Sequence, residues 1–222
     1  MKKRKILTFV VDRANYGRLK PVLLAIKERE TLNSVIVASG SMILRRFRSP
    51  VDVMVADGLN PCYQIEMEVE GSNHRSMAKS VGLGIIEFTT IISQEKPDIV
   101  LIIGDRYEAL AAVISSTYLN VPVAHIQGGE VSGSLDESSR HAISKFSKIH
   151  FPSTERAAHY LFKMGERKES IFLVGCPVGD VIKNIPKEVP LELINSQVLG
   201  PQLQFEKPFL LVMQHPNTTG PD

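Results

Sequence analysis

The feature that most constrains the fold is the alternation of short apolar runs, rich in Val and Ile, with longer segments whose apolar residues recur at helical spacing. This alternation is typical of repeated β-α-β units, in which crossover helices join parallel strands. We therefore predict an α/β protein with a Rossmann-like parallel sheet flanked by helices. The predicted strands cover residues 6–11, 34–38, 62–65, 99–103, 121–126, 149–151 and 171–174, and the predicted helices cover residues 18–29, 43–56, 76–94, 107–119, 137–146 and 155–164.

Composition narrows the function classes. The 222 residues are 43% hydrophobic, enough for a buried core, yet no apolar run approaches the roughly 20 residues that cross a membrane. A net charge of +2, without a basic stripe interleaved with aromatic residues, gives no indication of nucleic acid. Cys62 and Cys176 are far apart and outside any metal-ligand spacing, so we predict neither a disulfide nor a metal site, and we expect a cytoplasmic protein.

Proline and glycine punctuation predicts the domain organisation. Residues 1–185 are expected to form an N-terminal Rossmann-like domain. Two prolines open residues 186–207 and a Gly-Pro pair follows, which indicates a linker. Residues 209–213 (FLLVM) are predicted to be a buried strand, so residues 208–222 would begin a second Rossmann-like domain.

Three polar loops follow predicted strands. They are residues 12–17 (DRANYG), 104–108 (GDRYE) and 127–130 (QGGE). Because the carboxyl ends of parallel strands meet at one edge of the sheet, we expect Arg13, Asp105, Arg106 and Glu130 to share a cleft there. Each also has an ordinary structural explanation: Asp105 could cap a helix, and Arg106 could be its ion-pair partner.

The first loop bears on cofactor binding. It has no G-x-G-x-x-G fingerprint, so a dinucleotide cofactor is not predicted. Gly17 could still let backbone amides approach a phosphate, and Arg13 could supply a bidentate cation. The alternative is that Arg13 only covers the edge of the sheet.

The densest polar segment is residues 132–141 (SGSLDESSRH), which leads into a predicted helix. Asp136 stands where an N-cap would, and Arg140 and His141 lie one turn further along. Capping explains Asp136 alone. It does not explain so many titratable residues together, a grouping that suits proton transfer beside a phosphorylated ligand.

Together these segments resemble the hydrolysing UDP-N-acetylglucosamine 2-epimerases of sialic acid biosynthesis. The resemblance is carried by GDRYE at 104–108, HIQGGE at 125–130, DE and RH within 136–141 and GCP at 175–177, with RANYGRLKP at 13–21 and QHPNT at 214–218. It implies the two-domain GT-B fold, of which this chain would be the N-terminal half. Because the sequence stops at Asp222, we expect a fragment with weak or no activity alone.

The resemblance also implies a chemistry that needs no cofactor. A proton leaves C2 of UDP-N-acetylglucosamine, UDP is expelled to give a glycal, and water adds to give free N-acetylmannosamine. The residues expected to be catalytic are Asp105, Glu130, Asp136 and His215. The residues expected to bind substrate are Arg13, Tyr16, Arg106, Gln127, Arg140 and His141. We further expect a UDP-sugar as the ligand, a homo-oligomer, and no nucleic-acid or membrane partner.

Two departures from the family pattern leave alternatives open. Residues 40–42 (GSM) stand where many members carry a histidine, and Gln127 stands where many carry Glu or His; a glutamine cannot accept a proton as a base. The alternatives are a hydrolysing epimerase of a UDP-diacetamido-trideoxyhexose or a GDP-sugar, a non-hydrolysing epimerase, a GT-B glycosyltransferase, and a fragment that only binds nucleotide-sugar or serves as an assembly domain.

Overall fold

Six parallel strands form one sheet in the computed structural model, which describes residues 3–71, 73–188, 190–197, 199–200 and 207–214. The strands are β1 (Arg4–Val10), β2 (Leu32–Ser39), β3 (Tyr63–Ile65), β4 (Ile99–Ile103), β5 (Val123–Ile126) and β6 (Ile149–Phe151). Their order across the sheet is β3-β2-β1-β4-β5-β6, with every neighbouring pair parallel. This is the Rossmann order, and it confirms the predicted fold class.

Helices connect the strands and cover the sheet. They are α1 (Arg13–Glu28), α2 (Pro50–Ala56), α3 (His74–Glu95), α4 (Tyr107–Tyr118), α5 (Leu135–Phe146), α6 (Glu155–Lys163), α7 (Val178–Lys183) and α8 (Leu191–Asn195), with short 3₁₀ turns at Gly40–Met42, Arg45–Phe47 and Lys168–Ser170. Within the described ranges no helix is both long and apolar enough to span a bilayer.

Two apolar layers hold the sheet, because successive strand residues point to opposite faces. One layer contains Leu7 and Phe9 of β1 with α3, α4 and α5, and the rings of Phe9 and Phe88 lie 4.6 Å apart. The other contains Val10 with α1 and α2. Strands buried on both faces explain why the sequence shows continuous apolar runs instead of alternation.

Two predicted helix boundaries are wrong. Helix α1 begins at Arg13, not at residue 18, because the Asp12 carboxylate accepts the Asn15 N–H at 2.6 Å and caps the helix. The predicted helix over residues 43–56 is only α2 preceded by 3₁₀ turns. Arg48 and Ser49 have φ of 61° and 46°, which interrupts the helix before Pro50 occupies its first turn.

Two predicted strands are also wrong. Residues 171–174 make a single bridge, His150 to Ile171, and Val174 is 59% exposed, so they do not extend the sheet. Residues 209–213 form neither a strand nor a buried segment, and Leu210 is 95% exposed. An apolar run becomes a strand only where a neighbour offers ladder hydrogen bonds, and no described strand pairs with these residues. The division into two domains with a linker at 186–207 stays a prediction.

Candidate active site

The candidate site lies where the strand order reverses, between β1 and β4. Connections leave these neighbouring strands in opposite directions, which opens a crevice at their carboxyl ends. Asp12 and Arg13 follow β1, and Asp105 and Arg106 follow β4. Gly104 begins the turn after β4 with φ of 78°, a backbone conformation that favours glycine.

Arg140 joins the loops around this crevice. Its side chain is 8% exposed, and its Nη2 donates to the Asp105 carboxylate. Its Nη1 donates to the Glu130 carbonyl at 2.8 Å and to Ser132 Oγ at 3.3 Å. Arg140 therefore fixes Asp105 and the Glu130 backbone relative to α5. The Arg140 side chain is more buried than its predicted role as a substrate-binding residue would suggest.

Asp136 lies beside this ion pair. It is half-buried in the first turn of α5, whose N-cap is Ser134, so Asp136 is not the cap. Burial raises the pKa of the Asp136 carboxyl above its ordinary value, and the charge of Asp105 raises it further. Two of the predicted catalytic carboxylates are thus brought together from separate elements.

An arginine-lined cleft of about 520 Å³ includes Arg106, the residue that follows Asp105 in the chain. Its lining residues are Asp12, Arg13, Ala14, Ser41, Arg46, Phe47, Arg48, Pro50 and Arg106. Arg13 and Arg106 were predicted here. Arg46 and Arg48 were not, although the basic run 45–48 (RRFR) after β2 was the available signal. Four guanidinium groups suit an anionic ligand such as a diphosphate.

Gln127 links three segments of the chain. It is buried, with φ of 62°, and its side-chain oxygen accepts from Arg18 Nη1 at 2.5 Å. Its amide nitrogen donates to Cys176 Sγ at 3.2 Å. Both ends of the Gln127 side chain are therefore taken up within the protein, and Arg18, absent from the predicted site, approaches it from α1.

Tyr16 and His141 are not among the residues that line the cleft. Tyr16 is buried and donates to Asp57 Oδ2 at 2.5 Å, so the structure does not place it at the cleft. His141 Nε2 lies 3.7 Å from Glu137 Oε1, one turn away on α5. His215 lies outside the described residues. No cluster of three or more His, Cys, Asp or Glu in the described ranges could hold a metal ion.

His125 is hydrogen-bonded to the loop that carries Asp105. It is 0% exposed at the end of β5, its Nε2–H donates to the Gly104 carbonyl at 2.8 Å, and its Nδ1 accepts from Ser144 Oγ at 3.0 Å. The carbonyl can only accept, which fixes the tautomer. Burial lowers the pKa of His125 to about 3, so the ring is neutral. This histidine lies in the HIQGGE motif at 125–130, but the motif predicted no role for it.

Comparison with known proteins adds to this geometry. A family model described as UDP-N-acetylglucosamine 2-epimerase matches residues 24–222. UDP-N,N'-diacetylbacillosamine 2-epimerase (hydrolyzing) of Legionella pneumophila is 41% identical over 179 residues, which are 81% of this chain and 48% of that protein. UDP-N-acetylglucosamine 2-epimerase of Neisseria meningitidis serogroup B is 32% identical over 179 residues, 81% of this chain and 47% of that protein. The chain spans about half the length of these relatives.

Solved structures agree with the fold. A crystal structure of UDP-N-acetylglucosamine 2-epimerase superposes with a TM-score of 0.76 at 22% identity, covering 86% of this chain and 54% of the other. The Neisseria meningitidis UDP-GlcNAc 2-epimerase bound to UDP-GlcNAc gives a TM-score of 0.71 at 23% identity, covering 81% and 48%. At these identities the likeness concerns the fold.

Proposed function

The chain belongs to the UDP-N-acetylglucosamine 2-epimerase family, and we propose that the whole protein is a hydrolysing 2-epimerase of a UDP-linked 2-acetamido sugar. The observation that carries this proposal is the pair Asp105 and Asp136, two carboxylates from the loop after β4 and from α5, close enough for the charge of Asp105 to act on Asp136. Acid and base roles are commonly divided between two such groups when their environments differ. Here Asp105 is bound by Arg140, whereas burial raises the pKa of Asp136.

The proposed reaction has an elimination and a hydration. Asp105 removes the C2 proton, the C2–H electron pair forms the C1–C2 double bond, and the C1–O bond breaks to release UDP. Asp136, which carries a proton, then delivers it to C2 on the opposite face and so inverts that centre, while water adds at C1. The proton that water loses restores Asp136, and Asp105 releases the C2 proton to solvent. The sum is UDP-sugar and water giving UDP and the free 2-epimer, so no oxidant or reductant is consumed.

The arginine-lined cleft is proposed to hold the diphosphate. The C2 proton is weakly acidic, so elimination needs both a positioned base and stabilisation of the charge that grows on the leaving group. Arg13 and Arg106 line the cleft shortly after β1 and β4, and Arg106 follows Asp105 in the chain. A guanidinium can meet a phosphate with two parallel hydrogen bonds.

Two sugars are candidates for the substrate. UDP-N-acetylglucosamine is the substrate expected from the motifs. The 41% identity to the Legionella pneumophila protein favours UDP-N,N'-diacetylbacillosamine, since the match to the N-acetylglucosamine enzyme of Neisseria over the same length is 32%. Both reactions use the same bonds at C1 and C2.

The test is to give the purified whole protein each UDP-sugar separately and to measure UDP and free sugar. We expect equal amounts of UDP and free 2-epimer, with kcat/KM at least tenfold higher for one sugar. Recovery of a UDP-linked 2-epimer without free sugar would instead identify a non-hydrolysing epimerase. Turnover that requires an added acceptor would identify a glycosyltransferase.

A further inference from the structure

Glu108 is a buried charge whose position the reaction as proposed above does not explain. It is 0% exposed, in the first turn of α4. Its two carboxylate oxygens accept from Arg106, at 3.1 Å from Nε and 2.6 Å from Nη2. A carboxylate in the first helical turn stabilises the helix dipole without being buried, so that effect alone does not account for this arrangement.

The neighbouring loops make room for this carboxylate. Gly40, in the turn after β2, has φ of 54°. A Cβ atom there would lie 2.8 Å from the Val11 carbonyl oxygen, 3.0 Å from Glu108 Oε1 and 3.2 Å from Glu108 Cγ. Contacts below 3.0 Å are essentially never made by a real Cβ, so a side chain at position 40 would displace Glu108 or the loop after β1. The absence of a side chain at position 40 therefore leaves room for the Glu108 carboxylate beside the loop after β1.

The partner of Glu108 faces the cleft. Arg106 lines it, and 37% of its side chain is exposed. Its guanidinium also lies 5.1 Å from the centre of the Tyr107 ring, and its Nε is 3.5 Å from Asp12 Oδ2. The hydrogen bonds to Glu108 and the ion pair with Asp12 engage Nε and Nη2. Within the described ranges no residue accepts a hydrogen bond from Nη1, which leaves that group for a ligand.

We propose that Glu108 is a positioning residue, which holds the Arg106 guanidinium so that its Nη1 edge meets a phosphate oxygen of a nucleoside diphosphate in the cleft. The inference rests on the proposed function for the nature of the ligand. Glu108 itself is covered by protein and does not reach the ligand. A bidentate pair fixes both the direction and the plane of a guanidinium, which a single contact cannot do.

The test measures UDP binding by calorimetry, and KM and kcat for the better UDP-sugar, on the whole protein. Glu108→Gln keeps the shape of the side chain and removes its charge, and Glu155→Gln is the control, an exposed first-turn glutamate of α6. We expect the Kd for UDP and KM to rise about tenfold in Glu108→Gln, with a much smaller change in kcat, and no change in the control. A Kd for UDP within twofold of the parent, in a folded Glu108→Gln protein, overturns the proposal.

A second variant keeps the test decisive if Glu108→Gln does not fold. Arg106→Lys retains the charge on the exposed partner but loses the fork. We expect the same tenfold loss of UDP binding from Arg106→Lys. Where Glu108→Gln folds, we expect the double variant to be no worse than Arg106→Lys alone, because the two residues act as one unit. Additive losses, or unchanged binding in Arg106→Lys, contradict the inference. If the parent protein releases no UDP from either sugar, the proposed function fails, and binding of UDP by the parent still decides the role of Glu108.

Discussion

At the residue scale, the partner of Asp105 distinguishes a functional carboxylate from a helix cap. Arg106, not Asp105, occupies the N-cap position of α4, and no side chain there accepts a hydrogen bond from the first-turn N–H groups. Asp105 instead pairs with Arg140, 35 positions along the chain. A cap satisfies local backbone groups, whereas the Asp105 carboxylate is held by a charge from another element at the carboxyl edge of the sheet.

Replacement of Asp105 by Asn is therefore expected to abolish turnover of the UDP-sugar while the protein stays folded. The change removes a base but keeps nearly the same volume. We expect kcat to fall by about 10²-fold or more, on the order of 3 kcal/mol in the barrier, with UDP binding little changed. The control is Asp180→Asn, an exposed carboxylate on α7. A kcat within threefold of the parent in steady-state assays would reduce Asp105 to a structural role.

Buried His125 makes stability depend on pH. Its folded pKa is lowered by burial to about 3, from the ordinary 6.5, so between these values the unfolded chain binds a proton that the folded chain does not. The contribution of His125 to stability is therefore fully present above about pH 6.5 and is lost as the pH falls toward 3. Burial lowers the pKa of His150 as well, with the same sign.

We expect His125→Gln to show a smaller loss of unfolding free energy between pH 7 and pH 4 than the parent, measured by urea denaturation. Its amide can still donate to the Gly104 carbonyl but does not gain a proton in this range. The exposed His159→Gln variant should keep the parental slope. Parallel slopes for His125→Gln and the parent would show that this ring does not titrate on unfolding.

At the scale of elements, the strands and their polar ends were predictable, and the contacts between ends were not. Apolar runs located β1 to β6, and the rule for parallel sheets placed Arg13, Asp105 and Arg106 at one edge. The early start of α1 was missed because its cap, Asp12, stands within a run that also suits a loop. No role was predicted for Arg46, Arg48 and Glu108, because the partner of a charged side chain depends on tertiary packing, and the spacing of residues in one sequence does not indicate that packing.

The loop after β5 packs closely against α6 through Gly129. A Cβ there would lie 2.3 Å from the Ala157 carbonyl oxygen and 2.9 Å from Leu161 Cγ. We expect Gly129→Ala to be destabilising by roughly 2 kcal/mol more than Gly133→Ala in urea unfolding. Both positions have positive φ, 80° and 71°, so both alanines carry similar backbone strain, but Gly133 has open space around it. Equal losses of stability would mean that α6 moves freely away from the loop.

At the scale of the whole molecule, the described residues place the arginine-lined cleft at the carboxyl edge of the sheet. Asp105, Asp136 and the arginines lie at an open sheet edge, and the chain spans about half the length of the relatives it matches. We propose that a second Rossmann-like domain, beginning at residues 208–222, closes over this edge and brings His215 to the diphosphate. Such closure would exclude water and strengthen the charge interactions that the elimination needs.

The most direct test of the account is the turnover of UDP-N-acetylglucosamine and of UDP-N,N'-diacetylbacillosamine by the whole protein in D₂O, with the released sugar examined by NMR. Proton abstraction at C2 and return from a second group predict one deuterium at C2 of the free 2-epimer, formed with one equivalent of UDP, and no such product from Asp105→Asn. A released 2-epimer that carries hydrogen from the substrate at C2 would contradict the account.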